Sequence, residues 1–188
     1  MNKIALIAGL AVAATGATAD VLLEIDLTVA NQVTISATSG LASVDATGSN
    51  FTGFLLADFF SVAGAPGSVG AGTGNLSTSS NASDGSPSLF QGFSSVGLNI
   101  WSFSTDSTVG VTGGAQAFSG SGTWSLDATQ FAAFEAAATS GDIWMNADTD
   151  DDLASGSATN IGTYAVIPAP SALAVLGMGG LVATRRRR

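Results

Sequence analysis

The chain has 188 residues, fourteen of them acidic and five basic, with no His and no Cys. The absence of Cys excludes a disulfide framework and a thiolate metal site, and the absence of His removes the usual general base and the commonest zinc ligand. All five basic residues lie near the two ends, Lys3 and Arg185 to Arg188, so the body between them has no Schiff-base lysine and no bidentate arginine clamp for phosphate or carboxylate.

In chain order, residues 1–19 read as a secretory signal peptide. Lys3 is the only charge before position 20, residues 4–14 are apolar, and Ala17-Thr18-Ala19 supplies a small-x-small cleavage pattern. Signal peptidase and the export machinery are the partners this implies. The processed chain then begins at Asp20. An apolar run of about eleven residues is too short for a retained anchor, which needs about 20.

Residues 20–166 read as one domain, large enough to bury about two-thirds of its unfolded surface. Residues 21–29 alternate, with Val21, Leu23, Ile25, Leu27 and Val29 on one face and Glu24, Asp26 and Thr28 on the other. That is the period of a half-buried strand. Residues 31–38 alternate again through Val33, Ile35 and Ala37. The dense apolar block 51–60, broken by Gly53 and Asp58, reads as a core strand. The Gly- and Ser-rich stretch 63–87 reads as loop, with one short strand at 76–80.

Strands are expected at 98–104, 108–112 and 115–126, with Phe118 and Trp124 as core aromatics. Then the period changes. Asp127 is a good N-cap, Gln130 stands at the capping-box position, and Leu126 and Phe131 occupy the staple positions. Phe131, Phe134 and Ala138 recur at helical spacing, which predicts a helix over 128–138 ended by Gly141. A strand at 143–146, an acidic loop and a last strand at 160–167 complete the domain. The fold expected is mainly β: an antiparallel, jelly-roll-like β-sandwich with one short inserted helix, flanked by an N-terminal signal helix and a C-terminal apolar helix. Ten Phe and three Trp argue against wholesale disorder, which needs low hydrophobicity.

The residues available leave little chemistry. Ser-His-Asp, Cys-His and phosphate-loop arrangements are excluded or unsupported; the Gly-rich stretch 64–74 lacks the Lys and the helix that a phosphate loop needs. A carboxylate-dependent glycosidase would need two flanking acids. Glu24 and Glu135 are the only glutamates, and each sits where a solvated surface residue is expected. The sharpest cluster is Asn146, Asp148, Asp150, Asp151 and Asp152. Oxygen ligands at alternate positions suit Ca²⁺, which makes Asp148, Asp150 and Asp152 candidate ligands. Yet the EF-hand pattern fails at Asp151 and Ser157, and a solvated acidic loop is the reading the residues favour. No catalytic residue and no cofactor is assigned. Trp101, Trp124 and Trp144 could stack on sugar rings if exposed; alternation favours core positions. A body with acids and no bases repels DNA, RNA and anionic lipid.

The end of the chain carries the clearest signal. Ile167-Pro168-Ala169-Pro170 is extended, because each proline fixes φ and removes a donor. Residues 171–183 are thirteen uncharged, mostly apolar positions, about 20 Å as a helix against a hydrocarbon core of about 30 Å. Arg185, Arg186, Arg187 and Arg188 follow, a basic stop that stays on the cytoplasmic side of a membrane. Residues 167–188 resemble the PEP-CTERM sorting signal of Gram-negative bacteria: a Pro-Glu-Pro-type motif, a Leu/Gly/Ala-rich run and an arginine cluster. Here the motif is Pro168, Ala169, Pro170, with Ala169 where the family usually carries Glu. The resemblance implies a membrane-bound exosortase-type peptidase as partner, passage through the inner membrane and a link to exopolysaccharide. An ordinary retained C-terminal anchor is the alternative.

Together these readings predict an exported, non-enzymatic domain of the cell surface or extracellular matrix. A Ca²⁺-assisted carbohydrate-binding adhesin or lectin is the alternative, and a carboxylate-dependent glycosidase a third.

Overall fold

The computed structural model of the chain describes residues 19–170, except 65, 80–85, 93 and 103–107. The expected signal helix, with Ala17, and the apolar helix with Arg185, Arg186, Arg187 and Arg188 lie outside the described residues. In order, the elements are β1 (Val21–Asp26), β2 (Gln32–Ala37), β3 (Ala46–Ser49), β4 (Phe54–Leu56), β5 (Ser68–Ala71), β6 (Thr73–Gly74), β7 (Ser77–Thr78) and β8 (Ser88–Phe90). After these come β9 (Leu98–Trp101), β10 (Thr108–Val111), β11 (Phe118–Ser119), β12 (Ser121–Ser125), α1 (Ala128–Glu135), β13 (Ser140–Met145), α2 (Asp150–Ser155) and β14 (Thr159–Ile167).

The protein is mainly β, with antiparallel pairing almost throughout. Its largest sheet has the order β5-β8-β9-β4-β13-β14-β1-β2-β12-β6. The two edge elements belong to one stretch of chain. Residues 68–71 pair with β8, and residues 73–74 pair with β12 at the opposite edge. A single segment therefore joins the two ends of the sheet, and the sheet curls into a nearly closed barrel rather than splitting into the two stacked layers of the expected sandwich. Closure removes the exposed edges that invite aggregation.

Closure also explains the one parallel contact. Counting 68–74 as one strand, the ring holds nine strands, and an odd ring cannot alternate direction all the way round. The single parallel pair is β1 with β14, paired from Val21 with Thr163 to Asp26 with Ile167 across one bulge. Alternation in sequence cannot reveal it, because strand direction is fixed by the ring as a whole.

The interior is filled by side chains. Leu89, Ile100, Phe54 and Met145 form one continuous row across β8, β9, β4 and β13, each fully buried. Such complete burial contributes about 1.5–3 kcal/mol for each large apolar side chain. Phe118 meets Phe54 edge-to-face at 5.0 Å between ring centroids and ties the small β7–β11 sheet to the core. Below α1, Phe134 packs edge-on against Phe59 at 5.4 Å and Phe60 at 5.2 Å, and Phe59 meets Tyr164 at 5.6 Å. Helix α1 has the expected capping box: the Gln130 backbone N–H donates to Asp127 Oδ1 at 2.8 Å, and the Asp127 N–H donates to Gln130 Oε1 at 3.0 Å. Leu126 and Phe131 are both buried.

Several local expectations change. The block 51–60 yields only the three-residue β4: Phe51 sits in a turn and is 68 % exposed, while Phe59 and Phe60 are buried outside any strand. Gly53 makes that turn at φ +63°, where a Cβ would collide with the Ile100 carbonyl. In β1, a bulge between Val21 and Leu23 turns both Leu22 and Leu23 inward and leaves Val21 exposed. The strand ends at Asp26, so Val29 is exposed instead of continuing the buried face. The stretch 63–87 holds the short strand expected at 76–80, as β7, and also β5 and β6, which were not expected. Gly141 does not stop α1, which ends with Ala136 as its C-cap. It lies inside β13 instead, against the Tyr164 ring, where an added Cβ would approach the Tyr164 hydroxyl to 2.6 Å.

Candidate functional site

The residues that begin and end the fold are both held by β1 and β14. At one end of this pair, Thr163 donates its backbone N–H to the Asp20 carbonyl at 3.0 Å, and its hydroxyl donates to the same oxygen at 3.0 Å and to the Ala19 carbonyl at 3.4 Å. The Asp20 carboxylate accepts the Leu41 backbone N–H at 2.9 Å. Ala19 and Asp20, which flank the expected cleavage point, are the first described residues and both bond to Thr163 of β14. Ala17 lies outside the described residues.

At the other end, the Leu27 N–H donates to the Ile167 carbonyl at 3.0 Å, closing the last rung. The chain then enters Pro168, Ala169 and Pro170. Pro170 is exposed, but Ala169 is only 4 % exposed and belongs to the hydrophobic core. With Leu27, Thr28, Ala30, Phe131, Glu135 and Pro170 it lines an open cleft of about 260 Å³. Two prolines without N–H groups leave this tripeptide little backbone hydrogen bonding, so its placement rests on apolar contact. Nothing in the sequence pattern distinguishes a docked Ala169 from a solvated one.

The acidic stretch is ordered differently from the expected loop, because residues 150–155 form α2. The Asp150 carboxylate accepts the Ser95 hydroxyl at 3.0 Å and the Val96 N–H at 2.7 Å, pinning the turn before β9. Asp152 Oδ2 accepts the backbone N–H groups of Asp148 at 3.0 Å and Thr149 at 3.4 Å. The Asp148 and Asp152 carboxyl groups also lie within hydrogen-bonding reach of each other. That bond, with partial burial and repulsion from Asp152, pushes the Asp148 carboxyl above its ordinary value, while the Asp148 N–H holds Asp152 below its own. Asp148, Asp150 and Asp152 are thus engaged with the protein rather than converging on a common point, and among the described residues no cluster of three or more acids, His or Cys is arranged to hold a metal.

The other candidates are also separated. Glu24 is exposed on β1, in register with Ser36 and Ala165, while Glu135 is exposed on α1 beside the Ala169 groove. Trp124 is buried, and its indole N–H donates to the Pro87 carbonyl at 2.8 Å. Trp101 and Trp144 are half-buried. Beside the barrel seam, Gln32, residues 69–73, Thr123, Trp124 and Ser125 line an open groove of about 300 Å³ with neutral polar walls. Composition gave no sign of it, because it exists only where 68–74 crosses from one sheet edge to the other. Tyr164 is a further unforeseen feature: its hydroxyl donates to the Ala57 carbonyl at 3.1 Å, and burial together with the negative charges of Asp58 and Asp142 raises its pKa.

Compared with known proteins, the chain matches no family model, no curated protein and no solved structure. Among the described residues no helix is long and apolar enough to cross a membrane.

Proposed function

We propose that this is an exported, non-enzymatic domain delivered to the cell surface or extracellular matrix, with a C-terminal tail handled by an exosortase-type peptidase in the inner membrane. The observation that carries the reading is the agreement of two boundaries. Among the described residues the first strand begins at Val21, one residue after the expected start of the processed chain at Asp20, and the last strand ends at Ile167, where the PEP-CTERM-like segment starts. A body without Lys, Arg, His or Cys and a side-chain-filled barrel both favour a structural role over catalysis. Its uniform negative charge disfavours nucleic acid as a partner, and a neutral exopolysaccharide does not meet that repulsion.

The deciding experiment is the intact mass of the protein recovered from outside the cell. A chain starting at Asp20 and lacking the four arginines is expected. Recovery from the cytosol with leader and arginines still attached would refute the reading.

A second reading is a carbohydrate-binding module. The neutral groove at the seam supports it, since hydroxyl and amide walls suit a polyhydroxyl ligand. A glycan-binding screen with and without chelator separates a Ca²⁺-assisted site from an unassisted one. Absence of binding in both conditions would eliminate it.

A further inference from the structure

Ala169 is the residue where the chain departs from the sorting motif it resembles, and it is also the residue the domain buries. Beside it opens a cleft of about 260 Å³ walled by Ala169 itself, by Leu27, Thr28 and Ala30 after β1, and by Phe131 and Glu135 on α1. Residues 20–170 contain no Lys, Arg or His. A carboxylate at position 169 would therefore enter an apolar site next to Glu135, with no cationic side chain in the domain to neutralise it. Burying an unpaired charge is strongly unfavourable. Alanine has neither charge nor side-chain entropy to lose, so it lets the tripeptide dock.

We propose that the folded domain binds its own Pro168-Ala169-Pro170 segment and thereby restricts a processing peptidase's access to the tail, so that release of Ala169 from α1 sets when the tail is handled. The dock is intramolecular: the end of β1 and one flank of α1 form the receptor, and the motif following β14 is the ligand. Its effect on processing rests on the sorting function proposed above, whereas the dock itself does not.

The test uses the full chain purified in detergent and digested briefly with a broad-specificity protease, the cleavage sites being read by mass. Wild type should resist cleavage between residues 167 and 170. Ala169→Glu should be cut there about tenfold faster or more, the equivalent of about 1.4 kcal/mol of lost docking. Adding Glu135→Lys places a cation beside the new carboxylate and should restore resistance. That rescue distinguishes undocking from general misfolding, which a charge reversal on the helix surface would not repair. Equal cleavage of wild type and Ala169→Glu, or no rescue by Glu135→Lys, overturns the dock. In cells that trim the tail, faster trimming of Ala169→Glu supports the restriction and equal trimming overturns it. Absence of trimming in both, with the protease pattern intact, overturns the sorting function and leaves the dock standing.

Discussion

The seam that closes the barrel makes a sharp stability prediction at two glycines two residues apart. Gly72 lies where 68–74 passes from β8 to β12. A Cβ there would stand 2.6 Å from Trp124 Cε2 and 2.8 Å from the Thr123 carbonyl oxygen. Neither neighbour can yield, because the Trp124 ring is buried and its indole N–H is held by Pro87 at 2.8 Å. At Gly70 an added Cβ would meet nothing within 4 Å. Gly72→Ala should therefore cost about 1–3 kcal/mol, the range for overpacking a well-filled core. For a domain of this size that lowers Tm by roughly 2–4 °C per kcal/mol. Gly70→Ala should leave Tm unchanged or raise it slightly, since alanine narrows the unfolded ensemble by up to about 1 kcal/mol. Calorimetry of both variants measures the difference, and light scattering adds a second readout. A seam held open exposes the edges of β8 and β12, which invites association between copies. If Gly72→Ala and Gly70→Ala melt together and both stay monodisperse, the seam does not close on Trp124 and the account of the barrel fails.

Four further outcomes follow from the charges and from Tyr164. Tyr164 is the only tyrosine in the chain, so ultraviolet titration reports it alone. Its folded-state pKa is raised above the ordinary value of 10.0; its contribution to stability is thus complete below pH 10 and is lost as pH rises beyond it, and phenolate should appear only with unfolding. Tyr164→Phe leaves the Ala57 carbonyl unpaired and should cost about 1–3 kcal/mol in denaturant titration. Asp148→Asn keeps a donor for Asp152 and removes the repulsion, so Tm should rise at neutral pH. Because the Asp148 pKa is raised in the fold, this advantage should shrink as falling pH approaches the ordinary value of 3.8 and protonates the wild-type residue. Finally, a domain with acids and no basic side chains has only repulsion to screen. Added NaCl should raise Tm steadily from about 0.01 M to 0.15 M, over which the Debye length falls from about 30 Å to about 8 Å. A fall in Tm over that range would refute the purely repulsive account of its charges.

What the sequence revealed depended on how local the cause was. The capping box at Asp127 and Gln130, the staple of Leu126 and Phe131, and the buried alternation of Val33 and Ile35 all act between near neighbours, and all are present. Period 2 places Leu23 and Ile25 inward correctly. It misplaces Val21, because the bulge that also buries Leu22 arises from pairing with β14, far along the chain. The block 51–60 reads as one strand because apolar density cannot distinguish a short buried strand from buried loop aromatics: Phe59 and Phe60 are held by Phe134, not by a ladder. The dual role of 68–74 is invisible for a related reason, as Gly and Ser indicate freedom of the backbone and not which partners it meets. Of the candidate site, the composition of the motif was legible. The burial of Ala169 was not, since its receptor combines residues near 27 with residues near 131.

The pairing of β1 with β14 also governs when the domain can exist at all. The first strand to leave any synthesis or transport machinery must wait for the last, some 140 residues later, and until residue 167 arrives nothing can close the ring. Half-delivered chains are therefore incomplete in a definite way: β1 can pair with β2, but its other edge stays open. Completion of the barrel must therefore follow the arrival of the last strand, and that same strand carries the Pro168-Ala169-Pro170 segment against the chain after β1 and the flank of α1.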